Sequence, residues 1–468
     1  MAKVQSKEER DRLFGEAPVG KALATMAIPT VISQLINLIY NIADTFFVGR
    51  TGNPYMIAAV SLAFTLFMLN LPMTGLFGVG GGSYIARLIG LKEYDRVRHT
   101  SAFAFYGALA VVIVYSLSIM IFMDPLLKFL GASADTEQFA KQYVWIVVVI
   151  GNIPTVLSGT LSNLLRNVGY SKEASFGLSG GGILNIILDP LFMFVILPDG
   201  YQVLGAAAAT TISNTASLIY FIIILNKTKQ ESGLSISLKD VKIDKKDFKE
   251  VFRIGIPSAL TTLLMDFSNM FLNSSMAAHG DLELAALGID LKIERLSNAI
   301  CLGIAMGMLP LVAYNYSLKN YKRMKAFLNA GRLAGLAVAA VSILFYELFA
   351  KQMVGLFISS KGNSDEVAKT IAFGITFIRI RCLAAPFSML NFISTNGFQA
   401  MGDGRMSLIQ VVFRQVIFYF PLLWGLDVLF GAVGLAAAYP AAELLSGLIS
   451  TALLIWKLRK VKKEFGIV

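Results

Sequence analysis

The sequence predicts an all-α integral membrane protein with twelve transmembrane helices in two pseudo-symmetric six-helix lobes. Three observations carry this. The 468 residues are 56% hydrophobic and only 15% charged, with a mean hydropathy of +0.65, a composition foreign to soluble globular chains. The apolar residues gather into twelve stretches, each near the roughly 20 residues that a helix needs to cross a bilayer. The last six stretches also repeat features of the first six.

The stretches run, in order, over 24–48, 55–80, 100–122, 140–164, 174–197, 203–225, 250–276, 284–312, 326–348, 367–395, 406–429 and 432–456. Each is longer than a barrel strand and none alternates. Lipid offers no hydrogen bonds to a bare backbone, so helices are the expected solution. The opening "MAKVQSKEERDRLFGEAPVG" has charges of both signs and no apolar core, so no cleavable signal peptide is expected. Cys301 and Cys382 lie in spans without metal-ligand spacing, and His99 and His279 sit at span ends.

Basic residues cluster on alternate loops. Lys3, Lys7, Arg10 and Arg12 precede the first span, and Lys92, Arg96 and Arg98 follow the second. "NKTKQESGLSISLKDVKIDKKDFKE" joins the sixth and seventh, "SLKNYKRMK" follows the eighth, and the chain closes with "KLRKVKKEFGIV". The opposite loops "LPDGYQ" and "AAHGDLELAA" have no Lys or Arg, with exceptions around Lys128 and Lys361. Positive charge stays on the cytoplasmic side, so both termini and the long linker are expected there. The net charge of +11 is then a topology signal, and no nucleic-acid partner is expected.

The halves align. "AIPTVISQLINLIYNIAD" opens the first and "GIPSALTTLLMDFSNMFL" the second, matching Pro29 with Pro257 and Asn41 with Asn269. "GLKEYDRVR" (90–98) matches "SLKNYKRMK" (317–325), and "RNVGYSKEAS" has a weaker echo in "QAMGDGRMSL". The expected division is an amino-terminal lobe over 1–225, a cytoplasmic linker over 226–247 and a carboxy-terminal lobe over 248–468. Six spans per half give both halves one orientation, and such parallel repeats typify carriers that bind substrate between lobes and rock around it.

Ionisable groups inside a span point to function. In the first span Gln34, Asn37, Asn41 and Asp44 recur at helical spacing, beside Tyr40. In the fifth, Gly177, Gly181, Asn185 and Asp189 recur every four residues, and in the sixth Ala206, Thr210 and Asn214 do the same. Glycines admit a neighbouring helix, which the polar pair then faces. These oxygens could share a proton or coordinate a hard cation; structural pinning of the helices is the competing account. The second half differs. Thr262, Asp266, Asn269 and Asn273 form the seventh span's stripe, and Asp266 aligns with Leu38, so the acids are not symmetric. Asp290, Glu294 and Asn298 stripe the eighth, and Arg379 and Arg381 lie in the tenth, either as cavity groups or as internal ion pairs. Gln34, Asn37, Tyr40, Asn41, Asp266, Asn269, Asp290 and Glu294 are the candidates for a substrate cleft. "GLFGVGGGSYIARLIG" looks like a phosphate loop, but no strand precedes it, and close helix packing explains it better.

With "IPTVISQLINLIYNIADTFFVG", "GVGGGSYIARLIGLKEYDR", "ILNIILDPLFMF", "GAAAATTISN" and "IPSALTTLLMDFSNMF" in place, the chain resembles the multidrug and toxic compound extrusion (MATE) family over nearly its whole length. The third segment is similar to the DinF-type bacterial branch, which includes MepA-like exporters. The resemblance implies a MATE-type fold of two six-helix bundles around a cleft. It also implies export of amphipathic, often cationic drugs or toxins against inward H⁺ or Na⁺, with no other cofactor. It maps the ion site to Asp44, Asn185, Asp189 and Thr210, with Ala206 beside it. In the NorM-type branch an acid on the seventh span corresponds to Asp266, but "RCLAAPFSMLNF" lacks the acid that branch carries on the tenth.

The expected function is therefore an ion-coupled carrier working by alternating access as a monomer in the bacterial cytoplasmic membrane, in contact with lipid. A flippase for a lipid-linked sugar would favour a basic cleft, for which Arg379 and Arg381 speak and the amino-lobe acids do not. A membrane-embedded enzyme has little material in two span-end histidines. A passive channel fits duplicated halves with buried acids less well.

Overall fold

A computed structural model describes residues 6–242, 244–357 and 364–467; Lys3 and Lys361 lie outside them. Among the described residues every regular element is a helix. A short helix, Lys7–Gly15, opens on a capping box built from Ser6 and Glu9. The first six spans follow as Val19–Gly49, Pro54–Gly90, Tyr94–Ile121, Ala134–Asn167, Ser171–Ile196 and Gln202–Ser232. Lys245–Ala277 is the seventh, and Asp281–Ser317, Tyr321–Gly355 and Asp365–Ala400 are the eighth to tenth. Gly404–Glu464 is two spans joined at Gly431, whose φ of 59° and ψ of −140° interrupt the helix. The described residues thus form twelve helices long enough to cross a membrane, in keeping with the twelve apolar stretches.

The helices outrun those stretches because they continue as charged, water-exposed turns. The sixth reaches Ser232, so the linker between spans six and seven shrinks to 233–244. That linker is not free: Leu234 and Ser235 are fully buried. The Ser235 amide donates to Ser101 Oγ at 2.9 Å, and the Tyr106 hydroxyl donates to Ile236 O at 2.9 Å.

The repeat is visible in the backbone. Lys92 (φ 60°) and Lys319 (φ 56°) are the positive-φ residues other than glycine among those described, and they occupy matching positions in the two halves. In both loops the following amide reaches back five residues, from Glu93 to Leu88 O at 3.0 Å and from Asn320 to Asn315 O at 2.9 Å. Left-handed backbone costs a side-chain-bearing residue about 1–2 kcal/mol, so one unusual turn kept in both halves agrees with duplication.

The contacts define two compact units, and the cuts fall inside helices. One unit holds the described residues up to Ala17 with Ile32–Ala259; the other holds Pro18–Val31 with Leu260–Val468. The first and seventh spans are thus each divided two residues beyond Pro29 and Pro257. In the amino unit the start of the seventh span lies directly on the second: a Cβ on Gly255 would come within 2.0 Å of Leu76 O. Asp247 pairs with Arg96, and Glu250 with Arg87 at 2.9 Å. In the carboxy unit the start of the first span lies on the eighth, where a Cβ on Gly307 would meet Ala27 Cα at 2.6 Å.

Candidate functional site

Within the amino unit the fifth and sixth spans pack through the predicted glycine face. A Cβ on Gly181 would stand 2.0 Å from Ser217 Oγ, and one on Gly177 would stand 2.4 Å from Phe221 Cζ. Two helices this close bring the polar groups of the next turns together. Asn185 Nδ2 donates to Asp189 Oδ1 at 3.2 Å and to Thr210 Oγ1 at 3.3 Å. Asp189 is fully buried, Asn185 and Thr210 nearly so, and Ala206 fills the wall beside them. Asn214, one turn on, turns to the fourth span and donates to Thr155 Oγ1 at 2.8 Å.

The first span completes the site from the other side. Asn37 and Tyr40 line a small cavity of about 40 Å³ with Asn185, Thr210, Ser213 and Asn214. Asp44 lies within electrostatic reach of Asp189, and both act on Tyr40 and on Tyr143 of the fourth span. Asn41 is spent locally, donating to Asn37 O at 2.7 Å. Gln34 is half-buried on the same helix. Thr155 and Tyr143 of the fourth span and Ser213 of the sixth escape a sequence reading, because neutral hydroxyl groups on apolar helices are common and carry no charge to mark them.

The electrostatics are unbalanced. Among the described residues neither Asp44 nor Asp189 has a salt bridge to Lys or Arg. Asp44 Oδ1, Asp189 Oδ2 and Asn185 Oδ1 are buried without a hydrogen-bond partner. Buried polar atoms are rarely left so. Three unspent oxygens and the Thr210 hydroxyl are the donor set that a hard monovalent cation takes, and a single proton can bridge two neighbouring carboxylates. Among the described residues no three His, Cys, Asp or Glu side chains cluster as a metal site, so a Na⁺ here would need the amide and the hydroxyl as well. The residues fit that role.

The carboxy unit's acids are arranged otherwise. Arg381 Nε lies 2.6 Å from Asp290 Oδ2, and its Nη2 lies 2.5 Å from Glu294 Oε2, with the guanidinium over the Tyr439 ring at 4.5 Å. Asn298 donates to Glu294 Oε1 at 3.1 Å. Asp290 and Glu294 are therefore internal ion-pair members. A second buried network joins Arg414 to Glu443 at 2.6 Å and Asn391 to Glu443 at 2.8 Å. Asp266 and Asn269 lie exposed on the seventh span, with Arg295 the cation acting on Asp266.

Duplicated membrane helices hold unneutralised carboxylates in one unit, an arrangement in keeping with a carrier. The MatE family model matches residues 29–191 and 257–424, one match in each half, and the chain belongs to that family of multidrug efflux transporters. It is similar to the multidrug export protein MepA of Staphylococcus aureus (strain MRSA252), at 31% identity over 454 residues and 97% of each chain. The MepA of Staphylococcus saprophyticus is 28% identical over 453 residues, again 97% of each chain. Among solved structures, a multidrug resistance MATE family transporter of the MOP superfamily in an outward-facing conformation superposes with a TM-score of 0.89. It is 24% identical and shares 97% of this chain and 98% of its own. A MATE protein in a bent conformation superposes at 0.85, with 22% identity and coverage of 98% and 99%. At these identities the structures establish the fold.

Proposed function

We propose that this chain exports amphipathic, often cationic drugs from the cytoplasm by antiport with H⁺ or Na⁺, through alternating access. The observation that carries the coupling is the set of unspent oxygens on Asp44, Asp189 and Asn185 with no basic side chain to balance them. An ionised carboxylate in a span costs about 2.5–3.5 kcal/mol on insertion scales. A proton or Na⁺ taken up from one side offsets that cost, and its release to the other side restores it. Asn185 and Thr210 orient Asp189, and Asp44 makes the second acid of the pair. Drug export follows from the relatives, which are named multidrug export proteins. Exposed Asp266 offers a carboxylate to a cationic group, with Asn269 one turn away. The repeats over 1–225 and 248–468 supply the two lobes. The chain works as a monomer in the bacterial cytoplasmic membrane with both termini inside.

A lipid-linked sugar flippase needs free guanidinium groups for phosphate. Arg381 is held by two carboxylates, and Arg379 lies 3.3 Å from Glu347, so that reading has little support. Dye transport in proteoliposomes under imposed pH and Na⁺ gradients tests the proposal. One gradient should drive export in wild type and neither in Asp189→Asn. Export that ignores both gradients would overturn it.

A further inference from the structure

We propose that His279 and Asp427 form a pH-sensitive latch on the carboxy unit, fastened when the imidazole is protonated. His279 closes the seventh span, its amide donating to Met276 O at 3.0 Å. The next residue, Gly280, has φ 145°, and a Cβ there would meet Glu283 Oε2 at 2.6 Å. His279 Nε2 lies 2.5 Å from Asp427 Oδ1. Asp427 stands in the last turn of the eleventh span, where the carbonyls of a helix end already present partial negative charge. A carboxylate is poorly placed there without a cation. The partner supplied is neither Lys nor Arg but the side chain whose charge ordinarily changes between about pH 5 and 8.

A protonated imidazole is also well placed at the carboxyl end of the seventh span. The adjoining ionisable groups, Asp281 and Glu283 at the start of the eighth, are acidic. Among the described residues no Lys or Arg forms a salt bridge with His279 or Asp427. The latch also abuts the break between spans eleven and twelve: His279 Cε1 is 3.6 Å from where a Cβ on Gly431 would stand. Gly431 holds a conformation that is close to glycine-only, so this corner is built and not merely frayed.

The seventh span gives the latch its meaning. Its residues up to Ala259 belong to the amino unit and those from Leu260 to the carboxy unit. The His279–Asp427 pair fixes the carboxy-unit end. By the distribution of basic loops that end faces the exterior, the side from which a coupling proton would come, and this part of the inference rests on that topology. Acid outside fastens the outer half of the seventh span to the eleventh; alkali releases it.

The test is a double-mutant cycle on thermal stability of the full chain in nanodiscs, without drug or gradient, so that it does not depend on the ion-coupling proposal. His279→Gln, Asp427→Asn and the double variant are melted at pH 6 and pH 9. The single-variant shifts in Tm should be non-additive, by about 1 °C or more, at pH 6 and additive at pH 9. His279→Lys, a permanent cation, should keep the coupling to Asp427 at both values. Equal coupling of His279 and Asp427 at both values, which marks a neutral hydrogen bond, would overturn the latch. So would additivity at both.

Discussion

Asp189 and Asp290 are both buried carboxylates in membrane helices, and the molecule treats them oppositely. Asp290 has a guanidinium 2.6 Å away that also serves Glu294. Asp189 has one amide at 3.2 Å and, among the described residues, no salt bridge to Lys or Arg. A buried carboxylate with a tethered cation is neutralised at all times and serves structure. One without must take its counter-ion from solution, and that need is what a coupling site uses. The two units of one duplicated chain thus hold similar groups at different work, and the difference lies in where the cation comes from.

The comparison breaks most sharply on exchanging the acids. Asp189→Asn keeps the shape and the hydrogen bond to Asn185, so folding and expression should stay near wild type while ion-driven efflux drops to that of empty proteoliposomes. Wild-type pumping by this variant would mean that Asp189 is structural too. Arg381→Gln should do the reverse. Removing one partner of a buried pair costs about 3–5 kcal/mol, so the variant should show a clear loss of Tm. An unchanged Tm would show that the triad holds little.

Packing behind the site gives a smaller effect. Gly181→Ala places a methyl 2.0 Å from Ser217 Oγ. Overpacking of this kind costs about 1–3 kcal/mol, and by parting the fifth and sixth spans it should weaken the Asn185–Thr210 contact and slow transport. Restored transport in Gly181→Ala with Ser217→Ala would confirm the cause.

Smallest is a carboxylate in the linker. The Ser235 hydroxyl donates to Asp240 at 2.6 Å and Arg98 pairs with it at 2.9 Å; these hold its carboxyl below the usual value, which is about 3.9. A lowered value in the folded state means that the stabilisation is present above the unfolded value and is lost as pH falls below about 4. The partner Arg98 is half-exposed, so solvent screens the pair and less than about 1 kcal/mol is involved. Asp240→Asn should erase this acid-side difference and nothing near pH 7, as melting curves across pH 3–7 would show.

The sequence makes the fold legible because lipid leaves so few alternatives: twelve apolar stretches name twelve helices. Two groups of the site are legible for a geometric reason. Gly177, Gly181, Asn185 and Asp189 share one face by spacing, and Thr210 lies on the matching stripe of the next helix. Thr155 and Tyr143 are not legible, because the fourth span carries several neutral polar groups and nothing in their spacing tells which of them meets the fifth and sixth spans. The Asp290, Glu294 and Asn298 stripe is visible, yet its partner is not. Arg379 and Arg381 are two residues apart and point differently, and only packing shows that Arg381 is buried. The cuts beyond Pro29 and Pro257 are equally hidden, since they depend on which helices the two halves of each span touch.

The central claim is that the unpaired acids of the amino unit bind the coupling ion and that this binding is felt by the drug. Linkage makes the effect reciprocal: if drug weakens ion binding, the ion weakens drug binding by the same factor. The direct measurement is the affinity of a cationic dye for purified protein across pH and Na⁺ concentration, in wild type and Asp189→Asn. The account predicts that wild-type affinity falls as pH drops or as Na⁺ rises, and that the variant's response is flat. A wild-type affinity indifferent to both ions would contradict it, even if the protein still transported the dye.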